Sequence, residues 1–215
     1  MNRAALGGVE AHVARVEAAT GVQVVVALVD KADTYLELPW RAFALGASLG
    51  GFTAVVADAL SSAWGSQSAL VTAGITLAAG AALAVAALVV PSFARLFLRD
   101  IRRNAEVRHY AEALFLRREL FATRERTAVL VLVARFERKV EILADTGLHD
   151  RVMRAEWSRV IAKMTPPLAQ HRYADAFREG LDAIEALLIS KGFSPRSDSA
   201  NELPDRPIVE RGARE

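Results

Sequence analysis

Between Ser68 and Val90 the chain reads SALVTAGITLAAGAALAVAALVV, a continuous run without a charge. As a helix rising about 1.5 Å per residue, it is long enough to cross a hydrocarbon core of roughly 30 Å. A second apolar run, Ala42 to Leu60, precedes it and is broken only by Asp58. Two buried core helices are the competing reading, but soluble core helices rarely stay free of charge for so long. The pair therefore reads as a transmembrane hairpin. Asp58 falls near the end of its span, where it reaches headgroup water. Gly46-x-x-x-Gly50 on the first helix, and Gly74 and Gly80 on the second, permit close helix contact, first within the hairpin and second between copies. Tyr35, Trp40 and Trp64 read as interfacial aromatics.

The connector SSAWGSQ is short and uncharged. The outer flanks carry Lys31 and Arg41 on one side and Arg95, Arg99, Arg102 and Arg103 on the other. By the positive-inside rule both flanks are cytoplasmic, and residues 1 to 30 lack the basic start and long apolar stretch of a secretory signal. The expected placement is multi-pass in the inner (cell) membrane with both termini in the cytoplasm. The lipid bilayer is then the first partner, and the juxtamembrane arginines meet its headgroups. A formal charge of +2 is too small to argue for nucleic acid, and the absence of cysteine excludes disulfides and thiolate metal sites.

The rest of the chain has the grammar of an α/β domain. Leu6, Val9, Val13 and Val16 share one face of a first helix that Thr20-Gly21 ends. QVVVALVD, from Gln23 to Asp30, is β-branched and apolar on both faces, as a strand covered on both sides must be. Beyond the hairpin a helix near residues 100 to 120 carries Val107, Ala111 and Leu114 on one stripe. Ala128 to Ala134 is a continuous apolar run, hence a central strand, and a tight RFER turn joins it to the half-exposed strand KVEILAD. Two helices follow. The first has Met153, Trp157, Val160, Ile161 and Met164 on a face, and the second has Tyr173, Phe177, Leu181, Ile184 and Leu188. Pro166-Pro167 is expected to separate them, because proline ends one helix and is tolerated at the start of the next. From Ser194 onward the chain is rich in Pro, Ser and charge and is expected to be a disordered tail. The expected divisions are residues 1–37 for the first helix and strand, 38–93 for the hairpin, 94–193 for the remainder of the domain and 194–215 for the tail.

Topology orients the sheet. The first strand ends at Asp30 and its chain enters the membrane, so its C-terminal end is expected to face the bilayer. The helical crossover makes the strand from Ala128 parallel to it. Gln23, Thr123, Arg124, Arg126, Asp145 and Asp150 should gather at the cytoplasm-facing end, and Asp30, Lys31, Asp33 and Arg135 near the bilayer. Ligands of open α/β sheets usually sit at the carboxyl ends of parallel strands, which here is the membrane side. The distal end nevertheless collects two carboxylates, a hydroxyl and guanidinium groups, a donor set suited to a divalent cation such as calcium or magnesium, or to a phosphate ester. Asp145 and Asp150 are the candidate metal ligands, and their alternative role is to cap a helix starting near residue 149. His149 between them is a candidate acid or base, or a solvent-exposed residue of that helix's first turn. His12, His109 and His171 have no partner at i, i+4, and no P-loop, GxGxxG or GxSxG stretch occurs, so enzymes built on those motifs are excluded.

The stretches ATGVQVVVALVDKADTYLELPWRAFA (Ala19 to Ala44) and LFATRERTAVLVLVARFERKVEILADTGL (Leu120 to Leu148) resemble the TPM domain family, a phosphatase-like family named for thylakoid and nematode founder proteins. The resemblance runs over roughly residues 5 to 192 and is strongest to a bacterial membrane-embedded branch with a transmembrane pair inserted after the first strand. It implies a small open mixed-sheet α/β sandwich. It also implies, for some relatives, acid phosphatase activity or divalent-cation binding, and for others action as an assembly or repair factor for membrane complexes. Relatives usually carry Glu in the T-x-x-E segment opening the first strand, where this chain has Gln23. That departure, and the lack of a strong nucleophile motif, favour an interaction or assembly module with a membrane-protein partner or self-association. The alternative is a divalent-cation-dependent hydrolase.

Overall fold

A computed structural model describes residues 3–60, 68–195 and 202–213. The whole SSAWGSQ connector, Trp64 included, lies outside the described residues. The chain divides into two units, one of residues 1–33 and 105–214 and one of residues 34–104.

The first unit is built on a four-stranded mixed sheet in the order β3-β2-β1-β4. Its strands are β1 (Gln23–Lys31), β2 (Ala128–Ala134), β3 (Lys139–Ala144) and β4 (Ile208–Gly212). β1 and β2 are parallel, with Gln23 opposite Ala128 and Val29 opposite Ala134. β2 and β3 form the expected antiparallel hairpin, with Val129 opposite Ala144. Successive side chains of a strand point to opposite faces, so a strand apolar at every position requires cover on both sides. One layer is α1 (Arg3–Thr20), α7 (Arg154–Ala169) and α8 (Tyr173–Ser190). There Val9, Val13, Val16, Trp157, Met164, Phe177 and Ile184 pack on Val24, Val26, Val129 and Val131. On the other face Val107, Ala111 and Leu114 of α5 (Asp100–Arg117) pack on Val25, Ala27, Leu130 and Leu132. Every residue of β2 is buried, whereas β3 is mostly half-buried. Gly21 ends α1 at φ +71°, a left-handed value open to glycine at little cost.

The second unit contains α2 (Glu37–Leu60) and α3 (Ser68–Val89), then the short α4 (Pro91–Ala94) and a 3-10 turn at Arg95–Phe97. Both long helices are long and apolar enough to cross a membrane. Only 11% of the most apolar window of α2 and 6% of that of α3 is buried, so neither is the core helix of the competing reading. The glycines serve the hairpin's own packing. A Cβ at Gly46 would strike the Ala79 carbonyl oxygen, one at Gly50 would lie 2.6 Å from Ala79 Cβ, and one at Gly80 would lie 2.8 Å from the Phe43 ring. Gly74 faces nothing within 4 Å among the described residues.

Three expectations are corrected. Pro166-Pro167 does not separate the two helices: α7 runs through both prolines and ends only at Gln170, where His171 at φ +58° turns the chain. The prolines leave the carbonyls of Ala162 and Lys163 without helical donors, but both residues are exposed to solvent, and only Leu168 and Ala169 remain helical beyond the prolines. The stretch expected to be a disordered tail contains β4, which pairs with β1 in parallel, Ala27 opposite Ile208 and Lys31 opposite Gly212. Low apolar content misled here because an edge strand gains ladder hydrogen bonds rather than a core. Tyr35, expected at an interface, is buried at φ +51°, while Trp40 is exposed.

Candidate functional site

The register brings together the start of β1, the start of β2 and the end of β3. With Gln23 opposite Ala128 and Val129 opposite Ala144, residues 123–127 and 145–150 share one end of the sheet with Gln23. The Asp145 N–H donates to the Ala128 carbonyl at 2.8 Å, fixing the exit from β3.

Asp145 is the N-cap of α6 (Thr146–His149), with an extended backbone and its carboxylate accepting the Thr146 N–H at 2.7 Å. Arg126 closes on the same carboxylate with two parallel bonds, Nε to Oδ2 at 2.8 Å and a terminal nitrogen to Oδ1 at 2.9 Å. This fork geometry is the strong form of an arginine–carboxylate pair. Arg126 sits at φ +56° and its guanidinium lies over Phe121, 5.8 Å from the ring centre. Burial pushes the Asp145 carboxyl up, but the Arg126 bonds and the Thr146 N–H outweigh it and hold the group below its ordinary value. Gly147 completes the turn, its N–H donating to the Arg126 carbonyl at 2.9 Å. A Cβ there would lie 2.5 Å from the Glu125 carbonyl oxygen, so the turn closes only on glycine. Asp150 is exposed at the C-cap of the same short helix, and exposed His149 reaches back to the Ala144 carbonyl oxygen at 3.0 Å.

Beside this pair lies a cavity of about 380 Å³ lined by Gln23, Thr123, Arg124, Thr127, Arg151 and Glu202 among others. Thr123 is buried, and its hydroxyl has no hydrogen-bond partner among the described residues. The Gln23 amide oxygen accepts the N–H groups of Glu202 and Leu203, each at 3.0 Å. The Glu202 carboxylate accepts the Arg124 N–H at 3.0 Å. The structure thus divides the expected set: Arg126 and Asp145 form one closed pair, Gln23, Thr123 and Arg124 line the cavity, and Asp150 faces solvent. Among the described residues no three His, Asp or Glu side chains converge as metal ligands. At the sheet's opposite end Asp30 pairs with Arg135 at 2.7 Å.

Sequence reasoning missed Glu17. It stands four residues after Val13 on the apolar side of α1, is buried, and accepts the Val24 N–H at 2.7 Å. Burial, with Asp205 beside it, pushes its carboxyl up to about 8 against the pull of the Val24 N–H. A charge on an otherwise apolar stripe was the available signal; its partner Asp205 lay too far along the chain to be found.

A solved structure with this fold is the NMR structure of BA42 protein from the psychrophilic bacterium Bizionia argentinensis. It superposes with a TM-score of 0.58 at 13% identity, covering 97% of this chain and 94% of that one. At that identity the likeness shows the fold alone. No curated protein matches the chain. A family model described as the TPM domain matches residues 55–187, more than half of the chain, and takes in α5, the β2–β3 hairpin, the Asp145 turn and most of α8. The chain belongs to the TPM domain family.

Proposed function

We propose that this chain is a TPM domain anchored in the inner cell membrane by α2 and α3, with both termini in the cytoplasm, and that it serves as an assembly module for a membrane complex. The membrane placement rests on the two long exposed apolar helices and on the arginines that flank them. The choice of module over hydrolase rests on one observation: Asp145 and Gln23, two of the polar groups at the distal sheet end, are engaged by the protein itself. Asp145 is engaged by Arg126 and the Thr146 N–H, and the Gln23 amide oxygen by two backbone N–H groups. Groups held this way position loops, and loops on a rigid sheet are where partners are recognised.

The hydrolase reading draws on the cavity. Its unpartnered Thr123 hydroxyl, with Arg124 and Arg151 beside it, suits a phosphate ester, with calcium or magnesium bound at Asp145 and Asp150. Affinity purification of the full chain from native membranes in detergent tests both readings on one preparation. The module reading expects a membrane protein to co-purify in stoichiometric amount, and no phosphate release from para-nitrophenyl phosphate with calcium or magnesium. Cation-dependent release that is lost in Asp145→Asn would replace it with the hydrolase reading.

A further inference from the structure

Within the second unit α2 and α3 are antiparallel, since Gly46 meets Ala79 and Gly51 meets Thr76, so the start of α2 and the end of α3 share one end of the hairpin. There α3 stops at Val89, Pro91 opens α4, and the chain continues through the 3-10 turn Arg95–Phe97 into the first turn of α5. Two contacts tie this return to the first turns of α2. Arg41 donates to the Phe97 carbonyl oxygen at 2.9 Å, and Arg102 pairs with Glu37 at 2.8 Å. The rings of Phe93 and Phe97 meet edge to face at 5.3 Å between them. Residues 91–104 are thereby held at the depth where the hairpin begins and ends.

The surface of this return is apolar and basic at once. Leu96 is 76% and Ile101 78% exposed although both lie beyond the two long helices, and Leu36 and Trp40 at the start of α2 are exposed as well. Residues 34–41 and 91–104 carry five arginines against two carboxylates. Both carboxylates are engaged, Glu37 by Arg102 and Asp100 by Arg103 at 3.1 Å. The Arg41 bond to a neutral carbonyl leaves its charge uncompensated. Arg99 is exposed, and its guanidinium has no partner among the described residues. Positive flanks by themselves orient a hairpin, but they do not call for a leucine and an isoleucine on the surface between them. Exposed apolar side chains interleaved with uncompensated arginines at one depth are the pattern of an element lying in a membrane interface.

We propose that residues 91–104, with the first turn of α2, form a docking surface for anionic phospholipid. Leu96, Ile101 and Trp40 enter the acyl boundary, and Arg99 holds the phosphate of an acidic headgroup. Arg41, tied two residues away at Phe97, adds its field. A zwitterionic headgroup offers the same phosphate together with its own ammonium, which the arginines repel, so the preference for a net negative lipid follows from charge. The inference rests on the membrane placement proposed above and is indifferent to whether the domain assembles or hydrolyses.

The full chain reconstituted in phosphatidylcholine vesicles with a minority of phosphatidylglycerol tests this. The chain has no cysteine, so single spin labels can be placed at Leu96→Cys, at Ile101→Cys and, in the middle of α3, at Leu77→Cys. All three should be reached more readily by oxygen than by a water-soluble nickel chelate. Spin-labelled phosphatidylglycerol should associate with the cysteine-free protein about five-fold more strongly than spin-labelled phosphatidylcholine. Arg99→Gln should lower that ratio by about half or more, and Arg99→Lys should retain it. A Leu77 label open to the chelate would overturn the membrane placement and the docking surface together. With the Leu77 label in lipid, a Leu96 or Ile101 label in water would overturn the docking surface alone. So would a ratio near one in the native chain, or a ratio that Arg99→Gln leaves unchanged.

Discussion

Arg126 and Asp145 show what one side-chain pair contributes at the distal end of the sheet. Asp145 caps α6 and also receives the Arg126 fork, so its charge stabilises both a helix start and the turn before β2. Arg126 is half-exposed, which screens the pair, so Asp145→Asn should lower stability by about 1 kcal/mol at pH 7. The folded protein holds the Asp145 carboxyl below its ordinary value, so the unfolded chain takes up the proton first as pH falls. The stabilisation is present above the usual carboxylate range and disappears as pH drops through the depressed folded value. Thermal unfolding of both proteins should therefore show a gap in midpoint at pH 7 that closes towards pH 3. A gap independent of pH would mean that shape rather than charge is what Asp145 supplies. Asp145 was legible as a residue of the loop after the third strand, because the turn residues around it name a helix start. That Arg126 would take both its oxygens was not, since this depends on a left-handed backbone at residue 126.

Among the elements, β2 was the plainest in the sequence. AVLVLVA has no polar position, and a strand without one must be covered on both faces, here by α1, α7 and α8 on one side and α5 on the other. Leu132→Asp would place an unpaired carboxylate among Val107, Ala111 and Leu114, at a cost of several kcal/mol against a typical total of about 5 to 15. Limited proteolysis should then degrade the first unit rapidly, and a resistant Leu132→Asp variant would refute the double burial. The join of α7 to α8 was less legible. Paired prolines are a strong local signal, but the helix runs only two residues past them and the carbonyls they leave open belong to exposed residues, so the continuation costs little. The strand β4 was illegible for the opposite reason. Its order comes from Gln23, Tyr110 and Arg117, residues 93 or more positions away, which no local window reports.

For the molecule as a whole, the proposed topology rests on the charges flanking α2 and α3. A reporter fused at residue 64, outside the described residues, and one fused at residue 215 should report opposite compartments, the second cytoplasmic. Two reporters in the same compartment would contradict the hairpin. The family and the α/β order could be read from two stretches of sequence, whereas the partition of the distal end into a closed ion pair and a cavity beside it could not. That partition is the basis for proposing assembly rather than cation-dependent hydrolysis. It is tested most directly by thermal unfolding of the detergent-purified full chain with and without 1 mM-scale calcium or magnesium, in the native protein, Gln23→Glu and Asp145→Asn. At that concentration a site weaker than about 10 mM would add less than about 0.06 kcal/mol and move the native midpoint by less than about 1 °C. The account predicts that small response for the native chain, and a larger one only where Gln23→Glu restores a carboxylate. A rise of several degrees in the native protein that vanishes in Asp145→Asn would contradict it.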